Sequence, residues 1–198
     1  MSKFETLDFL LQKNNGFIKV SEAMQAGISR VYFGKYAQQR GLERVARGVY
    51  MSNEAWEDGM YVVQVRYPNA VFSHETALYL LGLAEREPVQ YTVTLRAGAS
   101  SARLAKQGIK VYKVKDDLFE EGLDEAQSPS GHNLRIYSSE RTICDLFRSR
   151  RNVEIQDLQA AIKAYVHQEA KNIPLLMRYA AAFSVEKIVQ QYLEVLLP

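Results

Sequence analysis

The sequence predicts an α+β protein with an N-terminal winged helix-turn-helix domain followed by a mixed α/β domain that ends in a helical tail. Three observations lead to this prediction. Short helical patterns and one hairpin pattern fill residues 1–52, strands and helices then follow without regular βαβ alternation, and helical periodicity returns from residue 153 onward. A chain of 198 residues suffices for one small and one medium domain, at about 100–200 residues per domain. We therefore predict domains at residues 1–52 and 53–198.

The first two helices are predicted from apolar spacing and from the residues that bound them. Residues 3–13 carry apolar side chains at helical spacing, and an Asn-Asn-Gly run ends the pattern. A brief extended piece, residues 17–20, precedes Ser21, which we expect to cap a second helix. A turn at residues 27–29 then leads directly into a third helix. Such a short connection containing glycine is typical of a helix-turn-helix.

The third helix presents two different faces. Ser29 is expected to cap this helix, and Gly41 is expected to close it. At about 100° per residue, Phe33, Tyr36 and Ala37 share one side, which we expect to be the core stripe. The other side combines amide, ammonium and phenol groups that can hydrogen-bond base edges and phosphate oxygens. Its members are Val31, Tyr32, Lys35, Gln38 and Gln39, with Arg30 at the N-terminal end.

A strand pair with its tip at Arg47-Gly48 is predicted after the third helix. The pattern of Leu42, Val45, Val49 and Met51 around this turn is typical of a hairpin. Three helices followed by a basic hairpin make up a winged helix-turn-helix.

Charge favours DNA as the ligand of this N-terminal domain. Acidic and basic residues balance over residues 1–28, whereas residues 29–51 carry five cations and a single carboxylate, Glu43. The whole chain carries only +2, so the positive excess is confined to the third helix and the hairpin, where a phosphate backbone would lie. We predict that helix residues enter the major groove, while Ser29 and the hairpin cations contact phosphate or the minor groove. The predicted DNA-binding residues are Ser29, Arg30, Tyr32, Lys35, Gln38, Gln39, Arg44 and Arg47.

The second domain is predicted to mix helices with a few strands. Asn53 is expected to cap a helix that ends before Pro68 and packs Trp56 and Met60, with Val63, between the domains. Ser73 and Ser138 or Ser139 are expected to cap two further helices. Extended patterns occupy 71–72, 90–98, 109–115 and 132–138, and helical patterns occupy 73–83, 138–150, 152–170, 172–183 and 184–197. The first tail helix places Ile155, Leu158, Ile162 and Tyr165 on one face.

The residues favour a protein without catalytic or metal chemistry. His74, His132 and His167 lack partner histidines at helical spacing, and the chain has one cysteine, so we predict no metal, no cofactor and no enzyme activity. Cys144 is expected to be a buried structural thiol, because no histidine lies near it in sequence. With no intrachain disulfide, no apolar run long enough to cross a bilayer and no signal-peptide profile, the cytoplasm is the expected location.

Three sequence blocks occur in order along nearly the whole chain. They are S-R-x-x-x…R-G-L-E-R-V-x-R-G-V-Y from Ser29 to Tyr50, S-H-x-x-A-L…L-G-L from Ser73 to Leu83, and S-x-E-R-T-x-x-D from Ser138 to Asp145. Together they resemble the AbiEi family of type IV antitoxins from bacterial abortive-infection systems. One departure is Gly34, which stands where bulkier residues are common and softens the third helix by about 1 kcal/mol.

The resemblance implies two roles. The N-terminal domain would bind inverted repeats in the double-stranded DNA of its own promoter and repress its operon. The C-terminal domain would neutralise a nucleotidyltransferase-like toxin without a stable complex, and the pair would halt growth during phage infection. His74, Arg141 and Asp145 match the family blocks and are the candidates for antitoxin function. By spacing alone, Arg141 and Asp145, four positions apart on one helix, are expected to form an ion pair worth a few tenths of a kcal/mol.

Two other functions remain open at this stage. Glu169-Ala170-Lys171 matches the E-x-K fragment of metal-dependent nucleases, although it lies at a predicted helix end rather than in a strand. Alternatively, the helical tail from residue 153 onward would bind a toxin directly, as type II antitoxins do. Neither alternative involves a membrane.

Overall fold

The computed structural model describes residues 2–55 and 58–197 and confirms the α+β class. The chain divides into two units: residues 1–68 together with 127–133, and residues 69–126 together with 134–198. Each unit has its own sheet, one of three strands and one of five.

The first unit contains four helices and three strands among its described residues. In chain order they are α1 (Lys3–Lys13), β1 (Phe17–Lys19), α2 (Val20–Gln25), α3 (Arg30–Gln39), β2 (Glu43–Ala46), β3 (Val49–Met51) and α4 (Gly59–Arg66). The sheet has the order β1-β3-β2, and both pairings are antiparallel. The predicted hairpin is thus the β2–β3 pair, joined at Arg47-Gly48.

The predicted ends and core stripe of α3 are confirmed. The Ser29 hydroxyl accepts a hydrogen bond from the Tyr32 amide at 3.3 Å, and Gly41 has a φ of +62°, a left-handed conformation that glycine adopts without a Cβ penalty. Phe33, Tyr36 and Ala37 are buried. They join an apolar cluster with Leu7, Ile18, Ala23 and Ile28.

The start of α2 differs from the prediction. Its N-cap residue is Lys19, not Ser21, and the Glu22 carboxylate accepts the Lys19 amide at 3.3 Å. The Val20 amide donates to the Gly48 carbonyl at 2.8 Å. This tie to the hairpin turn sets where the chain leaves β1 and enters the helix, and it joins residues that are distant in sequence.

The helix expected after Asn53 begins later. Residues 53–55 form a turn in which the Ala55 amide donates to the Ser52 carbonyl at 3.0 Å. The helix α4 is instead capped by Asp58, whose Oδ1 accepts the Tyr61 amide at 2.9 Å. Met60 and Val63 are buried as expected. Trp56 lies outside the described residues.

The first unit also extends beyond the predicted boundary at 52/53. It includes α4, which is tied to the hairpin by a hydrogen bond from Arg66 Nε to the Val45 carbonyl at 2.7 Å. It also includes residues 127–133, whose Ser128 hydroxyl donates to Asp58 Oδ2 at 2.5 Å. Polar contacts between segments about 70 positions apart have no signature in local sequence, which is why the boundary differs.

The second unit is built on a mixed five-stranded sheet. Its elements are β4 (Val71–Phe72), α5 (His74–Leu80), β5 (Thr92–Arg96), α6 (Ala102–Lys106), β6 (Lys110–Val114), α7 (Asp116–Phe119), β7 (Leu123–Gln127), β8 (Asn133–Tyr137), α8 (Ser139–Arg148), α9 (Ile155–His167), α10 (Ile173–Ala182) and α11 (Glu186–Leu196). The strand order is β6-β5-β4-β8-β7. Strand β4 runs antiparallel to β5 and parallel to β8, and β5 runs parallel to β6.

Three short elements of this unit, α6, α7 and β7, had not been predicted. They span five, four and five residues, and β7 has no fully buried residue. Such short segments carry too few apolar positions to display a period.

The helical tail packs its apolar faces into the core of the second unit. Leu158, Ile162 and Tyr165 of α9 are buried as predicted. Ile155, the first residue of α9, is 55% exposed instead. No helix in residues 2–55 or 58–197 combines the length and apolar composition that crossing a membrane requires.

Candidate nucleic-acid interface and polar pocket

The outward face of α3 is exposed. Arg30, Lys35, Gln38 and Gln39 are all exposed, as is Ser29 at the cap. Within the described part of the chain, neither Arg30 nor Lys35 forms an ion pair with a carboxylate. Their charges are therefore available to an external anion.

Tyr32 differs from the other predicted members of this face. Its side chain is half-buried, and the Lys3 ammonium lies 5.7 Å from its ring centroid. Tyr32 thus lies at the edge between the outward face and α1. A cation that lies over an aromatic ring is attracted by the ring quadrupole, so Lys3 adds a further positive charge beside α3.

Arg40 belongs to the basic segment and is exposed, but unlike Arg30 and Lys35 it is paired with a carboxylate. Its Nε and Nη2 donate to the two carboxylate oxygens of Asp8 at 3.1 and 2.5 Å. The Tyr36 hydroxyl donates to the same carboxylate at 2.8 Å. Hydrogen bonding to Asp8 raises the pKa of Arg40, and burial raises that of Tyr36. This network joins α1 to α3 and neutralises one cation of the segment.

The hairpin carries two cations, and one of them lies on the face that packs against α3. Arg44 lies opposite Tyr50 across the β2–β3 pair, and directly opposed residues project from the same face of a sheet. The Tyr50 ring packs edge-on against Phe33 of α3, with 5.1 Å between ring centroids. Arg44 therefore lies on the face of the hairpin that packs against α3. Arg44 and Arg47 are both exposed.

A buried polar cluster also holds the first unit together. Asp58 Oδ2 lies 2.6 Å from His132 Nδ1 and accepts the Ser128 hydroxyl at 2.5 Å. His132 Nε2 faces the Asn14 carbonyl at 3.2 Å, and its ring stacks on Tyr61. The Ser128 hydroxyl donates to this carboxylate and accepts the His132 backbone amide at 3.1 Å, so it is not paired with the imidazole as in a hydrolytic triad. The cluster is structural, and sequence reasoning had treated His132 as isolated.

In the second unit, His74 is buried in a strained conformation. It is 2% exposed, and its φ of +50° is uncommon for a residue with a side chain. Its Nδ1 lies 3.0 Å from the Ser73 hydroxyl and its Nε2 lies 3.1 Å from the Ser149 hydroxyl. The ring stacks on Tyr112 at 3.5 Å between centroids. Burial lowers the pKa of His74 to about 3, so the imidazole is neutral near neutral pH.

The role predicted for Ser73 is not observed. Ser73 occupies the N-cap position of α5, but its side chain makes no capping hydrogen bond. Its hydroxyl instead accepts one from Thr94 at 2.8 Å and contacts His74. Ser138, in contrast, caps α8 as predicted by accepting the Arg141 amide at 3.4 Å.

The predicted pair of Arg141 and Asp145 is present, but it lies in the core. Arg141 Nε donates to Asp145 Oδ2 at 3.0 Å, and the two side chains are 0% and 6% exposed. The estimate of a few tenths of a kcal/mol, which holds for exposed helix pairs, is therefore wrong for this pair. Burial raises the pKa of Asp145 to about 6, although the nearby Arg141 charge opposes this shift.

Arg141 is held by more than its carboxylate partner. Its Nη1 donates to the carbonyls of Leu118 and Glu121 at 2.7 and 2.5 Å. Its guanidinium lies 4.0 Å from the ring centroids of both Tyr137 and Phe183. This planar cation thus joins α8 to the segment around α7 and to the end of α10.

His74 and Asp145 meet at a small polar pocket of about 230 Å³. Arg141 is not among its lining residues. The other lining residues include hydroxyl, amide and cationic groups that sequence reasoning had missed. The lining residues are His74, Thr94, Tyr112, Lys113, Val114, Asp145, Arg148, Ser149 and Asn152. Arg148 and Ser149 follow Asp145 by three and four residues on α8 and its C-cap, and this helical spacing is the signal that could have identified them.

The residues proposed for metal-dependent cleavage are not arranged for it. Glu169 and Lys171 are exposed after the end of α9, and the Lys171 ammonium donates to the Gln168 carbonyl at 3.3 Å. Among the described residues, no group of three or more metal-ligating side chains could hold an ion.

Cys144 is a buried thiol, as predicted. It is 0% exposed, and its Sγ lies 3.7 Å from the Leu176 carbonyl oxygen. Burial raises its pKa to about 12. Since the thiolate is the reactive form, this cysteine is inert at neutral pH.

Comparison with known proteins supports the family resemblance and the fold. Residues 5–53 match the family model AbiEi_4, described as "Transcriptional regulator, AbiEi antitoxin", which confirms the resemblance for this segment. The crystal structure of the RV2827C protein from Mycobacterium tuberculosis superposes with a TM-score of 0.60 at 12% identity, covering 97% of this chain and 78% of that chain. At this identity the likeness concerns the fold alone. No curated protein matches the chain.

Proposed function

We propose, from the match of residues 5–53 to the AbiEi antitoxin family, that this chain is the antitoxin of a type IV toxin–antitoxin system and represses its own operon. In this proposal the first unit is a winged helix-turn-helix that binds inverted repeats in promoter DNA. The second unit neutralises a nucleotidyltransferase-like toxin without forming a stable complex with it.

One observation carries the DNA-binding half of the proposal. Four exposed cations, Arg30 and Lys35 on α3 with Arg44 and Arg47 on the hairpin, lie on two elements that pack together through Tyr50. We infer that α3 acts as the recognition helix in the major groove and that the basic hairpin beside it contacts the adjacent phosphate backbone. Arg40 is left out of this set, since it is paired with Asp8.

Replacing both hairpin cations should weaken DNA binding and reduce its dependence on salt. Each phosphate contact releases condensed counterions, so the Arg44→Ala/Arg47→Ala variant should flatten the log–log slope of affinity against salt by about two units. The slope is measured with the DNA upstream of the gene over a series of salt concentrations.

A double variant on the second unit provides the control for this measurement. Arg103 and Lys106 are exposed on α6, and Arg103→Ala/Lys106→Ala should leave the slope unchanged. An unchanged slope for Arg44→Ala/Arg47→Ala would remove the hairpin from the DNA-binding surface.

The polar pocket is the proposed antitoxin site of the second unit. His74 and Asp145 form the buried side of this pocket. Arg141 lies outside the lining and contributes by its ion pair with Asp145. Arg148 is exposed, and Ser149 is half-buried. These residues give the pocket charge and hydrogen-bonding groups that can reach a ligand, whereas His74 and Arg141 are already engaged with protein partners.

Removing the accessible polar groups of the pocket should abolish antitoxicity without affecting the fold. We expect Arg148→Ala/Asn152→Ala to lower colony survival, on co-expression with the adjacent toxin gene, to that of cells that lack the antitoxin. The DNA affinity of this variant should equal that of the wild type, and Arg103→Ala should rescue growth normally.

Co-purification separates this proposal from direct toxin binding. Rescue of growth without a stable complex supports the type IV mechanism. A stable complex between the chain and the toxin would instead favour a type II-like antitoxin. Full rescue by Arg148→Ala/Asn152→Ala would exclude the pocket.

A further inference from the structure

Gly34 lies in the middle of α3 for no reason that the described residues supply. Its φ is not in the left-handed region, and a Cβ added to it would meet nothing within 4 Å. Glycine inside a helix costs about 1 kcal/mol relative to alanine. Neither backbone conformation nor packing within the chain therefore requires a residue without a side chain at this position.

The absence of a side chain at Gly34 leaves a gap on the outward face of α3. Arg30 and Gln38 lie four residues before and after Gly34, so the three positions form one row along the helix. Both flanking residues are exposed, and they lie before and after the gap along this row. A planar or apolar group of a partner could approach the helix backbone at this point.

Val31 is the neighbour of Gly34 on the preceding turn of the helix, and its side chain lies more than 4 Å from a Cβ added at Gly34. It precedes Gly34 by three residues and is 74% exposed. At about 100° per residue, Val31 falls almost opposite the buried stripe of Phe33, Tyr36 and Ala37, at the centre of the outward face. Single exposed valines are common on protein surfaces, but here an aliphatic wall adjoins a side-chain-free gap on a helix face that also bears Arg30 and Lys35.

We propose that the gap at Gly34, with Val31 as its wall, accepts the C5-methyl group of a thymine in the major groove. This inference rests on the DNA binding proposed above and specifies the base that the centre of α3 recognises. The thymine methyl is the one apolar group that the major-groove edge presents, and it is read by apolar contact. Gly34 allows the helix backbone to approach that edge, while Arg30 and Gln38 supply hydrogen-bond donors on either side.

Adding one methyl group at Gly34 should affect stability and binding in opposite directions. Gly34→Ala should raise the melting temperature by a few degrees, because alanine favours the helix and meets no neighbour. The same Cβ would occupy the position proposed for the thymine methyl group. Overpacking of this kind should lower DNA affinity by about tenfold or more.

The affinity is measured with short duplexes that the full-length wild-type chain selects from a random library. Gly98→Ala is the matched control, since Gly98 also has open space around it and no left-handed φ; it should not change DNA affinity.

Replacing thymine by deoxyuridine in the selected duplex tests the contact directly. Loss of one contacted methyl should weaken wild-type binding about fourfold, as expected for one buried methyl-sized group. Val31→Ala should bind the thymine duplex more weakly and should no longer distinguish thymine from uracil. Val195→Ala alters another exposed helical valine. This variant should distinguish thymine from uracil as the wild type does.

The outcomes separate this inference from the proposed function. The proposed thymine contact is overturned if Gly34→Ala binds the selected duplex as well as the wild type does, or if uracil substitution has no effect. The proposal that the chain binds DNA is not affected by either result. If the wild type selects no duplex, both proposals are overturned.

Discussion

Replacing Arg141 by alanine should lower the free energy of unfolding by about 3–5 kcal/mol, the range for breaking a buried ion pair from one side. Arg141 is 0% exposed, and its removal leaves Asp145 without its cation. It also leaves the carbonyls of Leu118 and Glu121 without their donor and opens the space between two aromatic rings. Urea denaturation followed by circular dichroism measures the change.

Two further variants separate the contributions at this site. Arg141→Lys keeps the charge but lacks the planar fork that reaches Asp145 and two carbonyls together, so it should recover only part of the loss. Arg103→Ala removes an exposed arginine and should change stability by less than about 0.5 kcal/mol. A loss below about 1 kcal/mol for Arg141→Ala would mean that the pair is solvated, contrary to its burial.

Acid should destabilise the chain through His74. Burial, reinforced by the positive charges of Lys110, Arg141 and Arg148, lowers the pKa of His74 from 6.5 to about 3. Between pH 6.5 and 3, His74 binds a proton in the unfolded chain but not in the folded chain. The free energy of unfolding therefore decreases as the pH falls from 6.5 toward 3. The contribution of His74 to the slope of the free energy of unfolding against pH approaches about 1.4 kcal/mol per pH unit.

Asp145 acts in the opposite direction over part of the same range. Burial raises its pKa from 3.8 to about 6, so between these values the folded chain binds the extra proton and stability rises as the pH falls. The two groups therefore oppose each other between about pH 4 and 6, and the wild-type curve should be flatter there than either group alone would make it.

His74→Asn exposes the histidine contribution. Asparagine tolerates the positive φ of this position better than most residues, and it has no proton to bind. Relative to the wild type, the variant should gain stability as the pH falls below 6.5, by up to about 1.4 kcal/mol per pH unit. Urea unfolding at several pH values measures this difference. His167→Asn, at an exposed histidine, should give a curve parallel to that of the wild type; parallel curves for His74→Asn would contradict the burial argument.

Local sequence was sufficient to predict those features of the fold that depend on a single short segment. The cap at Ser29, the left-handed Gly41 and the buried stripe of α3 follow from propensity and period within about a dozen residues, and all three are present. Charge counting identified the basic helix and hairpin, but it also included Arg40. Only the contact with Asp8 on α1 shows that this cation is neutralised.

Distance along the chain explains what the sequence could not show. Asp58 and His132, or His74 and Ser149, are separated by about 70 positions or more, and no periodic pattern links them. The sequence by itself determined the α+β class, the ends and core stripe of α3, and the segment that carries excess positive charge. Only the tertiary structure decided that Arg141 and Asp145 are desolvated and that His74 meets Asp145 at one pocket, because burial and pairing depend on which segments fold against each other.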